Sequence, residues 1–286
     1  MSNFSNKILE VMAESKSAAL DERSKDLRKL IIRSLEGGER GHLGSSMSLV
    51  EILRVIYDDF LRYNLNDQNW VERDQCILSK GHGCLTLYAL LADKGIIDKG
   101  LLETFCKFGS KLGGHPEFGK VPGVEASTGA LGHGLSIAVG KALAARIKKK
   151  DSRIVVVTGD GELNEGSIWE AAMSASKHRL DNLVVMVDYN KLQSYGFTSE
   201  VLDLEPLKEK WEAFGFAAEE VNGHDVKKLQ EKLSGLPFVS GKPSVLICHT
   251  VKGKGFPFAE YEALWHHKSR IDKDMVDKMH QALEDY

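Results

Sequence analysis

Two clusters of polar residues follow apolar runs that have the composition of buried strands. Asp160 lies between two glycines directly after the run 154–157, and Asn190 follows the run 183–187. In an open parallel sheet ligands bind at the carboxyl ends of the strands, so these side chains are expected to meet. A carboxylate beside free backbone N–H groups at a helix start can hold a metal ion and a diphosphate. One Asp, one Asn and a backbone carbonyl suit Mg²⁺, which keeps phosphate oxygens and water as its other ligands.

The elements that would position these residues alternate between strand and helix. Runs such as 154–157 and 183–187 are almost continuously Val, Ile and Leu, which is typical of strands covered on both faces. We therefore predict an α/β fold with a doubly wound, mostly parallel sheet and helices on both faces. The predicted strands are 76–78, 154–157, 183–187, 217–221 and 244–248. The predicted helices between them are 134–147, 167–177, 207–214 and 226–233.

The remaining segments are predicted to be helical or irregular. Apolar residues at helical spacing predict two linked helices within 7–35, which end at Gly37 and Gly38. The segment 108–130 is rich in glycine and unusually long, which is typical of a loop that surrounds a ligand. Further helices are predicted at 48–61 (amphipathic), 85–91 and 272–286. We predict one domain over 1–286, with a helical lead-in at 1–75 and a C-terminal helix at 265–286.

Charge and composition argue against several classes of protein. Lys and Arg number 38 against 41 Asp and Glu, a net charge of −3, and no basic stripe suits nucleic acid or an anionic membrane. No segment approaches the roughly 20 apolar residues of a membrane span, and the N-terminus lacks the apolar core of a secretion signal. The four cysteines lie far apart without zinc-site spacing, so we expect free, buried thiols in a cytoplasmic protein.

Six motifs carry a resemblance that runs across nearly the whole chain. The GDG at 159–161, followed by Asn190 after the next strand, is similar to the thiamine diphosphate motif, and all six together resemble the transketolase family. The motifs are GHLGSSMS (41–48), LSKGHGCLTLYALL (78–91), GGHPE (113–117), STGALGHGLSIAVGKALA (127–144), GDGELNEGSIWEAA (159–172) and VDYNKL (187–192). The resemblance implies a thiamine diphosphate-binding fold. It also implies transfer of a two-carbon ketol unit from a ketose or ketose phosphate to an aldose or aldose phosphate, as in pentose phosphate metabolism.

The resemblance also implies how thiamine diphosphate and Mg²⁺, for which Ca²⁺ or Mn²⁺ could substitute, would be held. The metal ligands would be Asp160, Asn190 and the main-chain carbonyl of Leu192. The N–H group of Gly161 would contact the diphosphate. The residues that would line the aminopyrimidine ring are Gly129, Ala130 and Leu131.

Four histidines match positions that transketolases place around the thiazolium ring and the ketol end of the substrate. They are His42, His82, His115 and His266, of which His82 and His266 would also contact the cofactor. Imidazole suits proton transfer and hydrogen bonds to sugar hydroxyls because its pKa lies near the working pH. An ordinary structural or surface role is predicted for four other histidines, His178, His224, His249 and His280.

Several other positions are singled out by the comparison with the family pattern. Acidic residues after GDG face the dimer partner in the family, so Glu165 is a candidate for cofactor contact and, with Glu170, for coupling of two active sites; complementing the helix dipole is the alternative. Trp169 and Met173 are predicted to be core residues. The departures from the pattern are Ala130 (commonly Pro), His133 (commonly Gln) and His267 (often Gly), and they concern substrate contacts.

The resemblance covers only the half of a transketolase that binds the diphosphate. In the family, the glutamate that contacts the aminopyrimidine ring and the residues that hold the substrate phosphate lie in a second domain. None of that domain's motifs occurs between Met1 and Tyr286. We therefore expect that a C-terminal subunit is a separate chain, and that two copies of each chain form an α2β2 assembly with active sites between them.

Other functions remain open on the sequence alone. The main one is a split transketolase for a modified ketose, such as a sulfonated, deoxy or branched sugar. A thiamine-dependent decarboxylase or synthase leaves the histidines unexplained, and an inert binding subunit leaves the intact Asp160 and Asn190 unexplained. A nucleotide-binding oxidoreductase would share the sheet, but no strand is followed by GxGxxG with an acidic residue about 20 positions later.

Overall fold

A five-stranded parallel sheet forms the centre of the protein, of which a computed structural model describes residues 3–64, 67, 70–194 and 196–286. The strands lie in the order β1-β2-β3-β5-β4, and every neighbouring pair is parallel. This arrangement confirms the predicted doubly wound α/β fold. The strands are β1 Gln75–Leu78, β2 Ile154–Gly159, β3 Leu183–Tyr189, β4 Ala217–Asn222 and β5 Ser244–His249.

Helices connect the strands and cover both faces of the sheet. The α-helices are α1 Asn3–Ser17, α2 Glu22–Gly38, α3 Leu43–Met47, α4 Val50–Val55, α5 Cys84–Asp93, α6 His133–Ile147, α7 Gly166–Lys177, α8 Thr198–Val201, α9 Leu207–Ala213, α10 Val226–Ser234 and α11 Lys273–Asp285. A π-helical turn spans Ile56–Phe60, and short 3₁₀ helices span Gly81–Gly83, Lys99–Thr104, Gly161–Asn164 and Ala263–Trp265. No helix in the described residues is long and apolar enough to cross a membrane.

The strands are apolar throughout because each contributes to two cores. Side chains alternate between the faces of a strand, so Val155 and Val157 join the layer that contains residues of α2, α5 and α11. Ile154 and Val156 join the other layer, with residues of α6, α7 and α9. The sheet is therefore buried on both sides, and its carboxyl edge is left to the loops.

The predicted amphipathic helix at 48–61 is confirmed, with a change of helix type along it. α4 runs directly into the π-helical turn, and together they span 50–60. Four apolar residues of α4 are completely buried, since this element packs against α2, α5 and α10. Its polar face is narrow: Arg54 and Asp58 are partly exposed and form an ion pair at 3.7 Å, and Asp59 is exposed.

Two expectations about single residues are wrong. Cys106 is exposed, whereas the other three free cysteines are buried as expected. Met173 is exposed, because it lies on the outer face of α7, while Trp169 is partly buried against Trp211 and Phe214. The segment 108–130 contains neither helix nor strand, as predicted.

Candidate active site

Asp160 directly follows the carboxyl end of β2. That end lies beside the carboxyl end of β3, as predicted from the sequence. Gly159 pairs with Asp188 across the two strands, so the loops that carry Asp160 and Asn190 leave the same edge of the sheet. The Asp160 side chain is buried, with only 3% of the residue exposed. It accepts hydrogen bonds from the N–H groups of Gly161 (2.8 Å) and Lys191 (2.6 Å). Backbone donors from two loops thus fix its position.

The other two proposed metal ligands lie in the same small cavity as Asp160 and Gly161. Asn190 Oδ1 accepts a hydrogen bond from the N–H of Leu192 (3.2 Å), and Asn190 Nδ2 donates to Asp188 (3.4 Å). The carbonyl oxygen of Leu192 accepts a hydrogen bond from Lys252 Nζ at 2.6 Å. A cationic group therefore already contacts one of the three predicted oxygen ligands.

Two buried lysines, which the sequence reasoning missed, accompany the two buried carboxylates of the site. Lys80 Nζ forms an ion pair with Asp188, and Asp188 also accepts a hydrogen bond from Ser48 Oγ at 2.6 Å. Burial acts to raise the pKa of Asp188, but the charge and hydrogen bond of Lys80 lower it overall. Burial lowers the pKa of Lys252 to about 8. The sequence feature that could have revealed Lys80 is its position two residues after a buried strand, within the motif that begins at Leu78.

The residues present fit a divalent cation and a diphosphate. The predicted ligands are hard oxygen atoms, as Mg²⁺ requires. Burial and the nearby Asp188 raise the pKa of Asp160, so a cation beside it would offset the cost of its negative charge. Among the described residues, the buried Nε2 of Gln193 has no hydrogen-bond partner. The Gln193 side chain lies against Gly161, where a Cβ would meet its Cγ at 3.1 Å, and it lines the cavity of Asp160, so this N–H donor is available to an incoming oxygen.

The structure brings the four predicted histidines together. The ring of His42 lies with its centroid 5.4 Å from that of His82, 6.4 Å from that of His115 and 5.3 Å from that of His266. A fifth ring, that of His267, lies 4.5 Å from His42. His82 and His266 also line the cavity of Asp160. The histidine cluster, as we call these five residues, therefore adjoins the proposed metal site.

The inner members of the histidine cluster are held neutral. Burial, followed by the neighbouring His267 and His115, lowers the pKa of His42 to about 3. Burial and Lys252 lower the pKa of His266 to about 3, and burial and Lys80 lower the pKa of His82. A neutral imidazole has one donor and one acceptor nitrogen. These rings are therefore suited to hydroxyl groups near pH 7.

The glycine-rich loop before α6 borders the same cavity. Leu131 lines it, whereas Ala130 is exposed. Gly129 has φ 141°, and a Cβ there would meet the His115 ring at 3.1 Å. The buried Glu162, another residue missed from the sequence, fixes this loop. It accepts hydrogen bonds from Ser79 Oγ and from the N–H groups of Gly132 (2.9 Å) and Gly159 (3.1 Å).

Three singled-out residues lie outside this cavity. Glu170 is exposed on α7, and Glu165, also exposed, stands at the N-cap position before α7 without a side-chain capping bond. Their proposed coupling role stays a prediction. His133 is exposed, and its Nδ1 lies 3.0 Å from the carbonyl of Leu131. Of the histidines predicted to be structural or surface residues, His224 and His249 are buried, and His178 and His280 are exposed.

A buried ion cluster holds the loop 251–255, which carries Lys252. Arg28 donates to both carboxylate oxygens of Glu51 (2.6 and 3.1 Å) and to the carbonyl of Lys254 (3.0 Å). His224 Nε2 accepts the N–H of Val251 at 2.9 Å, so Nδ1 carries the proton and donates it to Glu51 at 2.7 Å. The loop is thereby fixed to the core from two directions.

Comparison with known proteins identifies the family. The family described as "Transketolase, thiamine diphosphate binding domain" matches residues 21–284. The chain is 44% identical over 267 residues to an apulose-4-phosphate transketolase subunit of Actinobacillus succinogenes, a match that covers 93% of this chain and 95% of the relative. It is 39% identical over 256 residues to "6-deoxy-6-sulfo-D-fructose transketolase subunit SqwG" of a Clostridium species, covering 90% and 93%.

Solved structures agree with the sequence relatives. The transketolase of Pichia stipitis in complex with sedoheptulose-7-phosphate matches with a TM-score of 0.85 and 29% identity. The match covers 90% of this chain and 40% of that chain, so the similarity concerns one part of the longer enzyme. The fold, the polar cleft at its sheet edge and these matches lead to one conclusion: the chain belongs to the transketolase family and carries its thiamine diphosphate-binding domain.

Proposed function

We propose that this chain is the cofactor-holding, N-terminal subunit of a Mg²⁺-dependent transketolase. The reaction moves a two-carbon ketol unit from a ketose, or its phosphate, to an aldose, or its phosphate. The observation that carries the proposal is that Asp160, Asn190 and Leu192 line one cavity with His82 and His266, in a chain of this family.

The metal and diphosphate would be held by groups that are already oriented. Asp160 is fixed by two backbone donors, and Asn190 Oδ1 and the Leu192 carbonyl would complete the protein ligands. Gly161, Gln193 and Lys252 would contact diphosphate oxygens, while Gly129, Ala130 and Leu131 would border the aminopyrimidine ring. Thiamine diphosphate, when bound, supplies the nucleophilic carbon and the electron sink that carbon–carbon cleavage beside a carbonyl requires.

The histidine cluster would bind and orient the sugar. Because the pKa values of His42 and His266 are lowered to about 3, their rings stay neutral and exchange hydrogen bonds with hydroxyl groups of the ketol end. His115 is exposed at the open side of the cluster, where it would meet the substrate first. Burial of the inner rings also keeps water away from the reacting carbons.

The other half of the site would come from a partner subunit. Relatives of nearly the same length are themselves named as transketolase subunits, which supports a separate C-terminal subunit that supplies the pyrimidine-binding glutamate and the phosphate-binding residues. We propose that 1–286 is one diphosphate-binding domain, that it works in the cytoplasm, and that two copies assemble with two partners as α2β2. Glu165 and Glu170, which are exposed at the start of α7, are then available for contacts between subunits.

A modified ketose is the second candidate for the substrate. Two relatives, at 44% and 39% identity, are named for apulose-4-phosphate and 6-deoxy-6-sulfo-D-fructose. Both names describe a sugar with an anionic end. These names favour a modified ketose, such as a sulfonated or deoxy sugar, over an ordinary pentose phosphate, and a panel of donors assayed with the assembled enzyme distinguishes the two.

The metal site is tested by Asp160→Ala. Without this charged metal ligand, the negative charge of the diphosphate is no longer compensated by a tightly held cation. We therefore expect thiamine diphosphate to bind at least about 100-fold more weakly in the presence of Mg²⁺. Isothermal titration calorimetry measures this affinity. Asp277→Ala, on an exposed face of α11, is the matched control and should bind normally. Unchanged affinity of the Asp160 variant would refute the assignment.

The need for a partner is tested by activity. We expect no ketol transfer from the chain with Mg²⁺ and thiamine diphosphate alone, and transfer once a candidate C-terminal subunit is present. A coupled assay of aldose-dependent product formation measures the rate. Full activity without the partner contradicts the proposed division of the active site.

A further inference from the structure

A short antiparallel bridge next to the histidine cluster gives the cleft a charged outer side. Gly41 and Lys268 exchange both backbone hydrogen bonds, each 2.9 Å long. A Cβ on Gly41 would meet Leu35 at 2.7 Å and Leu85 at 3.2 Å, so Gly41 faces the core. Because side chains alternate along an extended strand, Arg40 faces away from the core, on the same side as His42.

His267 lies on the same side of the bridge, next to Lys268. Its ring is 4.5 Å from that of His42. Because Gly41 pairs with Lys268 in an antiparallel bridge, Arg40 lies diagonally across from His267. Burial and the positive charge of Arg40 lower the pKa of His267. Arg40 is exposed, and within the described part of the chain neither residue has a hydrogen bond or a carboxylate partner.

This pair is separate from the lysines of the cofactor cavity. Lys80 and Lys252 line the cavity of Asp160, whereas Arg40 and His267 are not among its lining residues. The outer side of the histidine cluster therefore has its own cationic group. A guanidinium presents paired donors that match tetrahedral oxyanions.

We propose that Arg40 and His267 bind the anionic end of the sugar substrate, a phosphate or a sulfonate. The inference rests on the proposed function, because the inner histidines would then hold the ketol end of the same molecule. It gives a role to His267, which replaces the glycine often found in the family, and adds Arg40 as a specificity-determining residue. Recognition of the substrate's negative charge would thus depend partly on this chain.

Three sugars with one carbon skeleton test the proposal: fructose, fructose 6-phosphate and 6-deoxy-6-sulfo-D-fructose. Calorimetric affinities are measured for the full chain loaded with Mg²⁺ and thiamine diphosphate. The wild type should bind at least one anionic sugar about ten-fold more tightly than fructose, as expected for a charge-assisted contact. Arg40→Met and His267→Gly should each reduce this preference, the ratio of the anionic-sugar affinity to the fructose affinity, several-fold. Arg33→Met, at an exposed arginine paired with Glu103, is the matched control.

The outcomes separate this inference from the proposed function. A larger loss for the phosphate assigns the subsite to phosphate esters, and a larger loss for the sulfonate assigns it to sulfonates; either supports the proposal. A wild type without preference for the anionic sugars, or a double variant that keeps the preference, overturns it. Cofactor affinity is measured on the same samples, and its absence in the wild type would instead contradict the proposed function.

Discussion

Asp160 is positioned by the main chain more than by other side chains. Its two carboxylate oxygens accept N–H groups from the loops after β2 and β3, so the geometry of the sheet edge sets the distance between Asp160 and Asn190. Lys252 and Lys80 supply the compensating positive charge. The proposed metal ligands are therefore arranged by strand register, and small changes in nearby side chains should leave them in place.

Glu51 is the residue whose loss should most disturb the loop of Lys252. Glu51→Gln leaves Arg28 and His224 buried without a negative partner, so we expect the free energy of unfolding to fall by about 3–5 kcal/mol. Urea unfolding followed by circular dichroism measures it. Glu103→Gln removes the exposed pair with Arg33 and should cost less than about 1 kcal/mol. Equal effects of the two changes would argue against the buried ion cluster.

At the residue scale, sequence reasoning found the groups that stand directly after strands. Asp160 and Asn190 were predictable because their neighbours mark the strand ends. Lys80 and Lys252 were missed because a lysine in sequence indicates solvent, and only the fold shows that their ammonium groups reach Asp188 and the Leu192 carbonyl.

The loop between residues 127 and 132 joins the candidate site to α6 and α7. Gly132 has φ 82° and precedes α6, and its N–H donates to Glu162. Its carbonyl accepts a hydrogen bond from Ser167 at the start of α7. The two helix starts and the loop beside Leu131 are thus one connected unit.

Two glycine substitutions distinguish this unit from the rest of α6. A Cβ on Gly132 would lie 2.4 Å from Ser167 Oγ in a backbone region that side chains disfavour, so Gly132→Ala should cost more than about 1 kcal/mol and weaken cofactor binding. Gly140→Ala meets nothing within 4 Å inside the helix and should add up to about 1 kcal/mol. Thermal unfolding and calorimetry measure both; a stabilised Gly132 variant would contradict the argument.

Element boundaries agreed with the apolar pattern where all residues of an element have the same surroundings. The β2 and β3 runs were predictable because burial on both faces demands continuous apolar residues. The helix predicted at 48–61 was also found, over 50–60, but the spacing of its apolar residues does not show that its second half is a π-helical turn. Packing against neighbouring elements decides such local helix geometry.

For the whole molecule, charge is organised locally and not by the overall balance. The chain carries a net charge of −3, yet the charged residues that lower the pKa values of His42 and His266 are lysines. Lys80 and Lys252 are buried beside Asp160 and Asp188, so a cation bound to the carboxylates would leave the lysines to anionic ligands. The composition excluded a polyanion-binding surface, but it could not reveal this local arrangement of buried charges.

The stability of the free protein should fall in mildly acidic solution. Unfolded histidines titrate near pH 6.5, whereas the folded pKa values of His42 and His266 are about 3. The unfolded state therefore takes up more protons below pH 6.5, and stability is lost by at most about 1.4 kcal/mol per pH unit for each histidine, less for partly exposed rings. Urea midpoints at pH 7.5, 6.5 and 5.5 measure this. His42→Gln should flatten the slope, exposed His178→Gln should not, and pH-independent midpoints would contradict it.

The attachment of the 251–255 loop to Arg28, Glu51 and His224 has a consequence for genetics. A screen for variants that lose activity will return these core positions together with Asp160 and Lys252, although the ion cluster lies behind the cleft. The two groups are separable by temperature, because a core variant should regain activity when cells grow cooler, whereas a variant that lacks a ligand should stay inactive. Loss of activity alone thus identifies both groups of positions. Its temperature dependence distinguishes the residues that contact the ligand from the core residues that hold the loop.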